Sequence, residues 1–164
     1  MLNAALAGKF YTQVVKARLL AALLLVMPPV FAQSGAVLFQ QNCSFCHGEN
    51  GQGRAGAFPP LAGHAPNVIA TPEGRAYLIQ VLLFGLQGEI KVKGQKYNGV
   101  MAAFGQLSNE QVAAILNHVL TAWGNDKLLA KDHKPITAAE VAAVRIAKLT
   151  PQEVAARRSR LKLE

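Results

Sequence analysis

The stretch of sequence that decides the fold is QNCSFCHGENGQG, residues 41–53, which contains both cysteines of the 164-residue chain. Two residues separate Cys43 from Cys46, and His47 follows directly. This spacing occurs in redox-active disulfides, in zinc sites and at sites of covalent haem attachment. The rest of the chain has to distinguish these three kinds of site.

Zinc and disulfide chemistry both fit this sequence poorly. A structural zinc site needs about four Cys or His ligands, and the four histidines include no pair with the spacing of a zinc module. A thioredoxin-like redox motif lies in a βαβ unit, and no such pattern surrounds Cys43 and Cys46. A disulfide between them would close a very short loop and would therefore add little stability.

The third possibility accounts for the histidine as well, because C-x-x-C-H is the attachment signature of a c-type haem. Each cysteine forms a thioether with one vinyl group of the haem, and the adjacent histidine is placed to bind the iron. We therefore predict one covalently attached haem c, held by Cys43 and Cys46, with His47 as the first axial ligand.

The second axial ligand is predicted from the methionines of the chain. Met1 and Met27 lie in the N-terminal segment described below, so Met101 is the one methionine left for the folded domain. A thioether ligand raises the reduction potential of haem iron, which suits an electron carrier. His64 and His118 are the alternatives, and either would give a site of lower potential.

A second motif overlaps the first, because residues 51–56 match the dinucleotide fingerprint G-x-G-x-x-G. That fingerprint requires a strand before it and a helix after it. Here the cysteines precede it and Phe58-Pro59-Pro60 follow it. We interpret the match as accidental, and expect the glycines to let the backbone pass close to the haem.

The N-terminal segment has the pattern of a secretory signal. Three basic residues precede twelve uninterrupted apolar residues, 19–30, and the small residue Ala32 lies at a cleavage position. Twelve residues of helix span about 18 Å, less than the roughly 30 Å hydrocarbon core of a bilayer. We expect residues 1–32 to be removed as a signal peptide and the protein to be periplasmic; an uncleaved membrane anchor is the alternative.

The net charge narrows the choice of partners. The chain has 17 Lys and Arg against nine Asp and Glu, a charge of +8, and removal of the three basic residues before Ala32 would leave +5. An exported protein rarely meets nucleic acid, so no nucleic-acid partner is expected. The charge instead favours an acidic protein or an anionic membrane surface.

The first half of the expected mature chain is predicted to hold two helices and a long loop. A short helix is predicted over residues 35–41, and the Gly- and Pro-rich residues 42–66 show no periodic pattern. Thr71 as N-cap, with Pro72 at the first helical position, predicts a helix that ends near Gly85. A structureless loop of about 25 residues is rare unless it is functional.

The second half is predicted to begin with a β-hairpin over residues 90–97, with Gly94 as the first central residue of a type II′ turn. Met101 is expected in the loop that follows. A helix should then run from a capping box at Ser108 to Trp123. Its C-cap is predicted at Gly124.

Two further helices are predicted near the C-terminus from two more capping boxes. Thr137 and Glu140 form the first pair, and Thr150 and Glu153 form the second. The basic cluster in residues 157–162 is interpreted as a solvated helix face.

These motifs together resemble a class I cytochrome c. The resemblance is carried by Gly35, Phe39, the C-x-x-C-H motif, Pro59-Pro60-Leu61 and Met101 before a helix. The stretches GAFPPLAGH, YLIQVLLFGLQGEIKVKGQKYNGVM and QVAAILNHVLTAWG are similar to the small periplasmic cytochromes c of thermophilic bacteria that donate electrons to ba-type haem–copper oxidase. The similarity extends over essentially all of the chain after Ala32.

The resemblance implies a mainly α fold, a class I cytochrome c domain with a small β-hairpin and a helical C-terminal extension. The haem domain would span residues 33–126, and the extension, residues 127–164, would wrap it. Gly35 and Phe39 would pack the first helix against the helix that ends at Trp123.

The resemblance also assigns the residues of the site. Cys43 and Cys46 would hold the haem, and His47 and Met101 would be the axial ligands. Pro59 would offer its carbonyl oxygen to the ring of His47, in line with the orienting hydrogen bond that a metal-bound histidine usually makes.

The function implied is that of a soluble, monomeric, monohaem electron carrier and not an enzyme. Electrons would come from an upstream quinol-oxidising complex and pass singly to the copper-bearing subunit of a terminal haem–copper oxidase. Two rival functions are an enzyme that uses an open sixth iron position and a tethered subunit of a dehydrogenase. Uncharged residues near the haem motifs predict an apolar docking surface and a weak dependence on salt: Ser44, Phe45, Ala102, Ala103 and Phe104.

Overall fold

The computed structural model describes residues 33–161 and Leu163, so the expected signal peptide, residues 1–32, lies outside the described residues. The elements are short helices and one β-hairpin, which confirms the mainly α fold that the resemblance implies. In chain order the elements are α1 (Gly35–Asn42), α2 (Ser44–His47), α3 (Ala65–Ile69), α4 (Gly74–Phe84), β1 (Leu86–Val92), β2 (Gln95–Met101), α5 (Asn109–Thr121), a 3₁₀ turn (Asn125–Leu128), α6 (Ala138–Arg145), α7 (Pro151–Arg158) and a second 3₁₀ turn (Ser159–Leu161).

Helices α1 and α5 pack closely at the centre of the fold. A Cβ at Gly35 would collide with the carbonyl group of Ala114, so the two backbones approach as only glycine allows. One turn later Phe39 is fully buried, and its ring centroid lies 4.9 Å from that of Trp123. The packing of α1 against α5 is the one that the resemblance implies, with Trp123 lying in the turn after α5.

The capping box of α5 is present as predicted, since the Gln111 amide N–H donates to Ser108 Oγ and the Ser108 amide N–H donates to Gln111 Oε1. The predicted end of the helix is wrong. The helix ends at Thr121, and Trp123 has a positive φ of 56°. Trp123 leaves the helix because its ring packs on Phe39, and this tertiary contact outweighs the local propensity.

The predicted start of α4 is also wrong. The helix begins at Gly74, and Glu73 is its N-cap without a side-chain cap. Thr71 does not cap α4, because its hydroxyl donates to the Val68 carbonyl oxygen at 3.0 Å and closes a turn after α3. A Cβ at Gly74 would overlap that same carbonyl group, so the close approach of α3 and α4 decides where the helix starts.

Residues 42–66 were predicted to lack secondary structure, and this is wrong. They contain α2 and the first residues of α3, and Arg54 forms an isolated antiparallel bridge with Phe58. The Gly51 carbonyl oxygen accepts from the amides of both Leu61 and Ala62, at 2.8 and 2.9 Å, and so folds the segment back on itself. A helix of one turn leaves no periodic pattern in the sequence, which is why the prediction missed it.

The predicted hairpin is present but is longer, and its turn type differs. Leu86 pairs with Met101 at one end of the ladder, and Val92 pairs with Gln95 at the other. The central turn residues are therefore Lys93 and Gly94, with φ of 48° and 79°, which define a type I′ turn instead of the predicted type II′. Strand β2 extends as far as Met101, so this residue lies on a strand and not in the expected loop.

The C-terminal helices α6 and α7 begin at the two predicted capping boxes. Helix α6 packs against α4 and α5, and α7 packs against α4 and β1. Each inserts one fully buried valine, Val141 from α6 and Val154 from α7. Two apolar clusters therefore form the core, one around α1, α4, α5 and α6 and a smaller one that joins α7 to the hairpin.

Hydrogen bonds also tie the extension to the domain. Arg75 on α4 donates to the carbonyl oxygens of Lys134 and Pro135 and to the Glu140 carboxylate. Arg145 on α6 donates to three oxygens in the segment after Met101, those of the Gly105 and Leu107 carbonyls and the Asn109 side chain, at 2.7–2.8 Å. No helix among the described residues is long and apolar enough to cross a bilayer.

Candidate haem site

Cys43, Cys46 and His47 come together because α2 is a single helical turn. Cys43 is the residue between α1 and α2, and its carbonyl oxygen accepts from the His47 amide at 3.0 Å. Residues three and four apart on a helix share one face, and these three side chains line the same pocket. The junction of α1 and α2 thus turns a sequence spacing into a common surface.

The environment of Cys43 argues against a metal-binding or redox-active cysteine pair. Burial, and secondarily the neighbouring Cys46, raises the pKa of the Cys43 thiol to about 11. A redox-active cysteine needs a lowered pKa, so this thiol is unsuited to that chemistry. Residues 33–161 and Leu163 also contain no group of three or more Cys, His, Asp or Glu side chains that could hold a metal ion.

His47 is buried and held in one orientation. Its Nδ1 lies 2.9 Å from the Pro59 carbonyl oxygen, and since a carbonyl can only accept, Nδ1 carries the proton and Nε2 keeps its lone pair. Burial lowers the pKa of His47, partly opposed by the bond to Pro59, so the ring is neutral near pH 7. A neutral imidazole with its second nitrogen bonded in this way is the form that binds a metal.

Pro59 owes its position to the glycine-rich loop before it. A Cβ at Gly53 would collide with the backbone of residues 58–60. The Arg54 amide donates to the Phe58 carbonyl oxygen at 2.8 Å, and the Arg54 guanidinium donates to the Phe45 carbonyl oxygen at 3.0 Å. The two segments on either side of the loop are therefore held next to each other.

The dinucleotide fingerprint is accidental, since helix α2 and not a strand precedes the glycines and the next helix does not begin until Ala65. Our interpretation of those glycines, however, needs correction. Gly51, Gly53 and Gly56 all have positive φ, yet none of them lines the pocket. Gly51 instead contacts the ring of Trp123. The glycines serve turns and packing in the loop and not the approach of backbone to a haem.

Met101 reaches the pocket from the end of the hairpin. It is the last residue of β2, is half-buried and packs against both apolar clusters. A Cβ at Gly85, which has φ of 76°, would meet the Met101 carbonyl oxygen, so this turn lets α4 and β1 pass close behind the methionine. The Phe104 amide donates to the Leu82 carbonyl oxygen at 2.9 Å and anchors the following residues to α4.

The four side chains predicted to hold the haem, Cys43, Cys46, His47 and Met101, line one cavity of about 250 Å³. Its other walls are almost wholly apolar, and include Leu61, Val68, Leu78, Val81, Leu86 and Phe104. Two thiols, an imidazole with a free nitrogen and a thioether in an apolar cavity are a donor set that fits a covalently bound haem.

The two alternative axial ligands differ in position. His118 does not line the pocket; its ring packs 5.6 Å from Phe39 and 5.4 Å from Trp123. His64 does line it, but its Nε2 lies 3.2 Å from Arg158 Nη2 and accepts a hydrogen bond there. Burial, then Arg158, then Lys93 lowers the pKa of His64 to about 4, so its ring is neutral.

The sequence did not indicate two residues that matter here, one that supports the segment before His64 and one that lines the pocket itself. Asn125 is fully buried, and its side chain bonds the Gly63 amide at 2.6 Å and the Val119 carbonyl at 2.7 Å, which ties the segment before His64 to the end of α5. Arg158, interpreted above as part of a solvated face, lines the pocket. Neither has a local signal, since an Asn after a helix and an Arg in a basic cluster are both common on surfaces.

Comparisons with known proteins show which family the chain is similar to. The cytochrome c family model matches residues 32–123. A cytochrome c-552 of Thermus thermophilus is 53% identical over 147 residues, which cover 90% of this chain and 99% of the relative. A second Thermus thermophilus cytochrome c-552 is 57% identical over 130 residues, 79% of this chain and 98% of that protein.

A more distant relative is the cytochrome c subunit of a quinone-dependent alcohol dehydrogenase from Gluconacetobacter polyoxogenes, 33% identical over 113 residues, or 68% of this chain and 22% of that subunit. The family match and the donor set in the pocket lead to the same conclusion. The chain belongs to the cytochrome c family and is a monohaem electron-transfer protein that carries one covalently attached haem c.

Proposed function

We propose that this protein is a soluble periplasmic electron carrier of a respiratory chain, and that residues 1–32 are removed as a signal peptide when it is exported. It accepts electrons from a quinol-oxidising complex and, as a monomer, delivers them singly to the copper-bearing subunit of a terminal haem–copper oxidase. Residues 33–126 form the haem domain, and residues 127–164 form its extension. The observation that carries the proposal is the shared pocket of Cys43, Cys46, His47 and Met101.

Within the proposal, Cys43 and Cys46 form the thioethers, and His47 Nε2 and the Met101 thioether bind the iron. The haem supplies the one-electron change between ferric and ferrous iron. The Pro59 carbonyl oxygen accepts a hydrogen bond from His47 Nδ1, so the proton stays on Nδ1. The lone pair of Nε2 is then available to the iron. The Met101 thioether and the apolar walls both favour the ferrous state, because it carries less charge, and so raise the reduction potential.

The surface next to these residues supports docking through apolar contacts. Phe45 is 79% exposed beside Cys46, and Val100 is 65% exposed beside Met101. Ala102 and Ala103 are exposed as well, and none of these side chains carries a charge. A partner that covers this surface would bury apolar area close to both proposed iron ligands. Such a partner would be held by apolar contacts, and its approach would need no long-range attraction between charges.

The ligand assignment is tested on the mature protein, made in a host that attaches haem. We expect a far-red sulfur-to-iron charge-transfer band in the ferric spectrum and its loss in Met101→Ala. His64→Gln and His118→Gln are matched controls that should keep the band. A high-spin ferric spectrum without the band would contradict the proposal and favour an enzyme with an open sixth position.

The partner assignment is tested by turnover of a purified haem–copper oxidase with this protein as electron donor. We expect turnover to change less than about twofold between low and physiological ionic strength, because the docking surface is uncharged. Mass spectrometry of the exported chain should give Gln33 as the first residue. A steep fall of turnover with salt would contradict the docking surface, and a chain that keeps residues 1–32 would contradict the export step.

A further inference from the structure

Arg158 is an isolated cation in the wall of the haem pocket. It is contributed by α7, far along the chain from the other residues of the site. Of the two histidines in the lining, His47 is the predicted iron ligand, and His64 accepts a hydrogen bond from Arg158 at Nε2 and is therefore neutral near pH 7. Arg158 is therefore the one described lining residue that carries a full charge at that pH. Arg158 is half-buried, so its guanidinium is available to a carboxylate brought into this otherwise apolar wall.

The protein itself uses only part of the hydrogen-bonding capacity of this guanidinium. Arg158 Nη2 donates to the Lys91 carbonyl oxygen at 2.9 Å and to His64 Nε2 at 3.2 Å. The Tyr77 ring lies beneath the group, with its centroid 6.0 Å from the guanidinium carbon. Among residues 33–161 and Leu163, the hydrogen bonds of ordinary length from Arg158 all come from Nη2, although the Tyr77 hydroxyl lies close enough for Arg158 to oppose the rise of its pKa.

No carboxylate of the described chain pairs with Arg158 either. The two ion pairs in that part of the chain are Arg75–Glu140 and Lys96–Glu89. A haem carries two propionate side chains on one edge of the macrocycle, and each ends in a carboxylate. An arginine offers several donors at once and is the side chain best suited to hold a carboxylate in a fixed geometry.

We propose that Arg158 binds a propionate carboxylate of the haem through the guanidinium donors that the protein leaves unpaired. The C-terminal extension then completes the cofactor site instead of only covering it. This inference rests on the covalent haem that family membership establishes, and not on the identity of the sixth ligand or of the electron acceptor.

In this proposal His64 positions Arg158 as its hydrogen-bond acceptor and does not bind the iron. Its Nε2 accepts a hydrogen bond from Arg158, so that nitrogen carries no proton. The surrounding charges favour this neutral state: besides Arg158, the Lys93 ammonium lies close by and donates to the Ala62 carbonyl oxygen at 3.1 Å. Tyr77, whose pKa is raised by burial, is also neutral near pH 7. The groups that face the carboxylate are thus two cations and two neutral rings.

The proposal is tested in the full chain with haem attached by Arg158→Gln, with Arg160→Gln as the matched control. Arg160 is exposed in the adjoining 3₁₀ turn, so the control removes the same charge outside the pocket. Two quantities are measured: the reduction potential between pH 5 and 9, and the propionate bending band in the resonance Raman spectrum.

We expect Arg158→Gln to lower the ferrous-to-ferric ratio at a fixed ambient potential by about threefold to tenfold, because a positive charge near the iron favours the ferrous state. The unpaired carboxylate should also titrate at higher pH. The potential should then fall as pH rises across the measured range, whereas that of the parent stays nearly constant. The propionate band should shift in Arg158→Gln and stay unchanged in Arg160→Gln.

A third variant, Arg158→Lys, keeps the charge but loses the guanidinium, and it covers the case in which the glutamine variant does not fold. It should retain a potential near that of the parent and show a shifted propionate band. The inference is overturned if the band of Arg158→Lys matches that of the parent, or if Arg158→Gln and Arg160→Gln give the same potential and the same band. Neither result would bear on the assignment of the axial ligands, because the far-red charge-transfer band tests that assignment separately.

Discussion

The C-x-x-C-H turn and the C-terminal extension both contribute side chains to the haem pocket, but they reach it in different ways. Cys43, Cys46 and His47 converge because one helical turn of four residues joins them. Arg158 reaches the same pocket from α7, and its partners on His64 and Lys91 lie 94 and 67 residues away along the chain. The first arrangement is local, and the second exists only in the folded molecule.

This difference between a local motif and a tertiary contact determines which functional residues can be predicted from a sequence. A covalent attachment site has to present its atoms at a fixed spacing, so its signature persists in the order of residues. A residue that acts across the fold needs no particular neighbour, and Arg158 accordingly resembles Arg157 and Arg160 beside it in sequence. The following predictions test this contrast between a local site and an extension that acts through tertiary contacts.

The largest effect is expected at the local site. Replacement of both Cys43 and Cys46 by alanine removes both thioethers, so the chain should lose all covalently bound haem. A haem stain after denaturing electrophoresis measures this loss. Ser44→Ala is the matched control, since Ser44 lies between the cysteines and its hydroxyl donates to the Gln40 carbonyl oxygen. A haem-stained band that persists in the double variant would refute attachment through these residues.

A smaller effect is expected where the extension enters the core. Val154 on α7 is fully buried in the cluster that joins the extension to the hairpin. Val154→Ala should lower the free energy of unfolding by about 2 kcal/mol, from lost burial and the remaining cavity. Denaturant unfolding followed by circular dichroism gives this value, and Val37→Ala, at an exposed position of α1, should leave stability nearly unchanged. Equal stabilities would mean that α7 contributes little to the folded domain.

The smallest effect is expected from the ion pair that ties α4 to α6. The hydrogen bond from Arg75 lowers the pKa of Glu140 to about 2 from an ordinary value of 4.5. A lowered folded-state pKa stabilises the protein above the unfolded value, and this stabilisation is lost as the pH falls from 4.5 towards 2. Because the Glu140 side chain is 37% exposed, we discount the pair to about 1 kcal/mol.

Comparison of the parent with Glu140→Gln between pH 2 and 7 measures this contribution. The parent should be the more stable protein at pH 7, and the difference should close below pH 4.5. Glu89→Gln is the control, because the Glu89–Lys96 pair is more exposed and should contribute little to stability. A difference between parent and Glu140→Gln that stays constant down to pH 2 would refute the role assigned to the pair.

Several elements could be predicted because their signals are local. The three capping boxes at Ser108, Thr137 and Thr150 join residues three apart, and each is present in the structure. The hairpin was recognised from its alternation, but its turn was assigned wrongly, since Gly94 alone fits either central position. The pairing of Leu86 with Met101 sets the register, and that pairing depends on packing along the whole ladder.

The remaining errors have one physical cause. Thr71 has the side chain of an N-cap, yet it bonds Val68 because α3 approaches α4 there. Trp123 continues the apolar pattern of α5, yet it leaves the helix because its ring is placed against Phe39. In both cases a tertiary contact outweighs a local preference, and that contact cannot be read from neighbouring residues.

The sequence by itself determined the presence of a haem-attachment motif and the starts of the helices that capping boxes mark, because these depend on residues at most four apart. The mainly α fold followed from the resemblance, which extends over essentially all of the chain after Ala32. Only the tertiary structure decided how Met101 is carried on a strand, how Asn125 braces the segment before His64, and that Arg158 enters the pocket. These positions result from packing between distant segments, whose buried contacts and hydrogen bonds form only when the chain is folded.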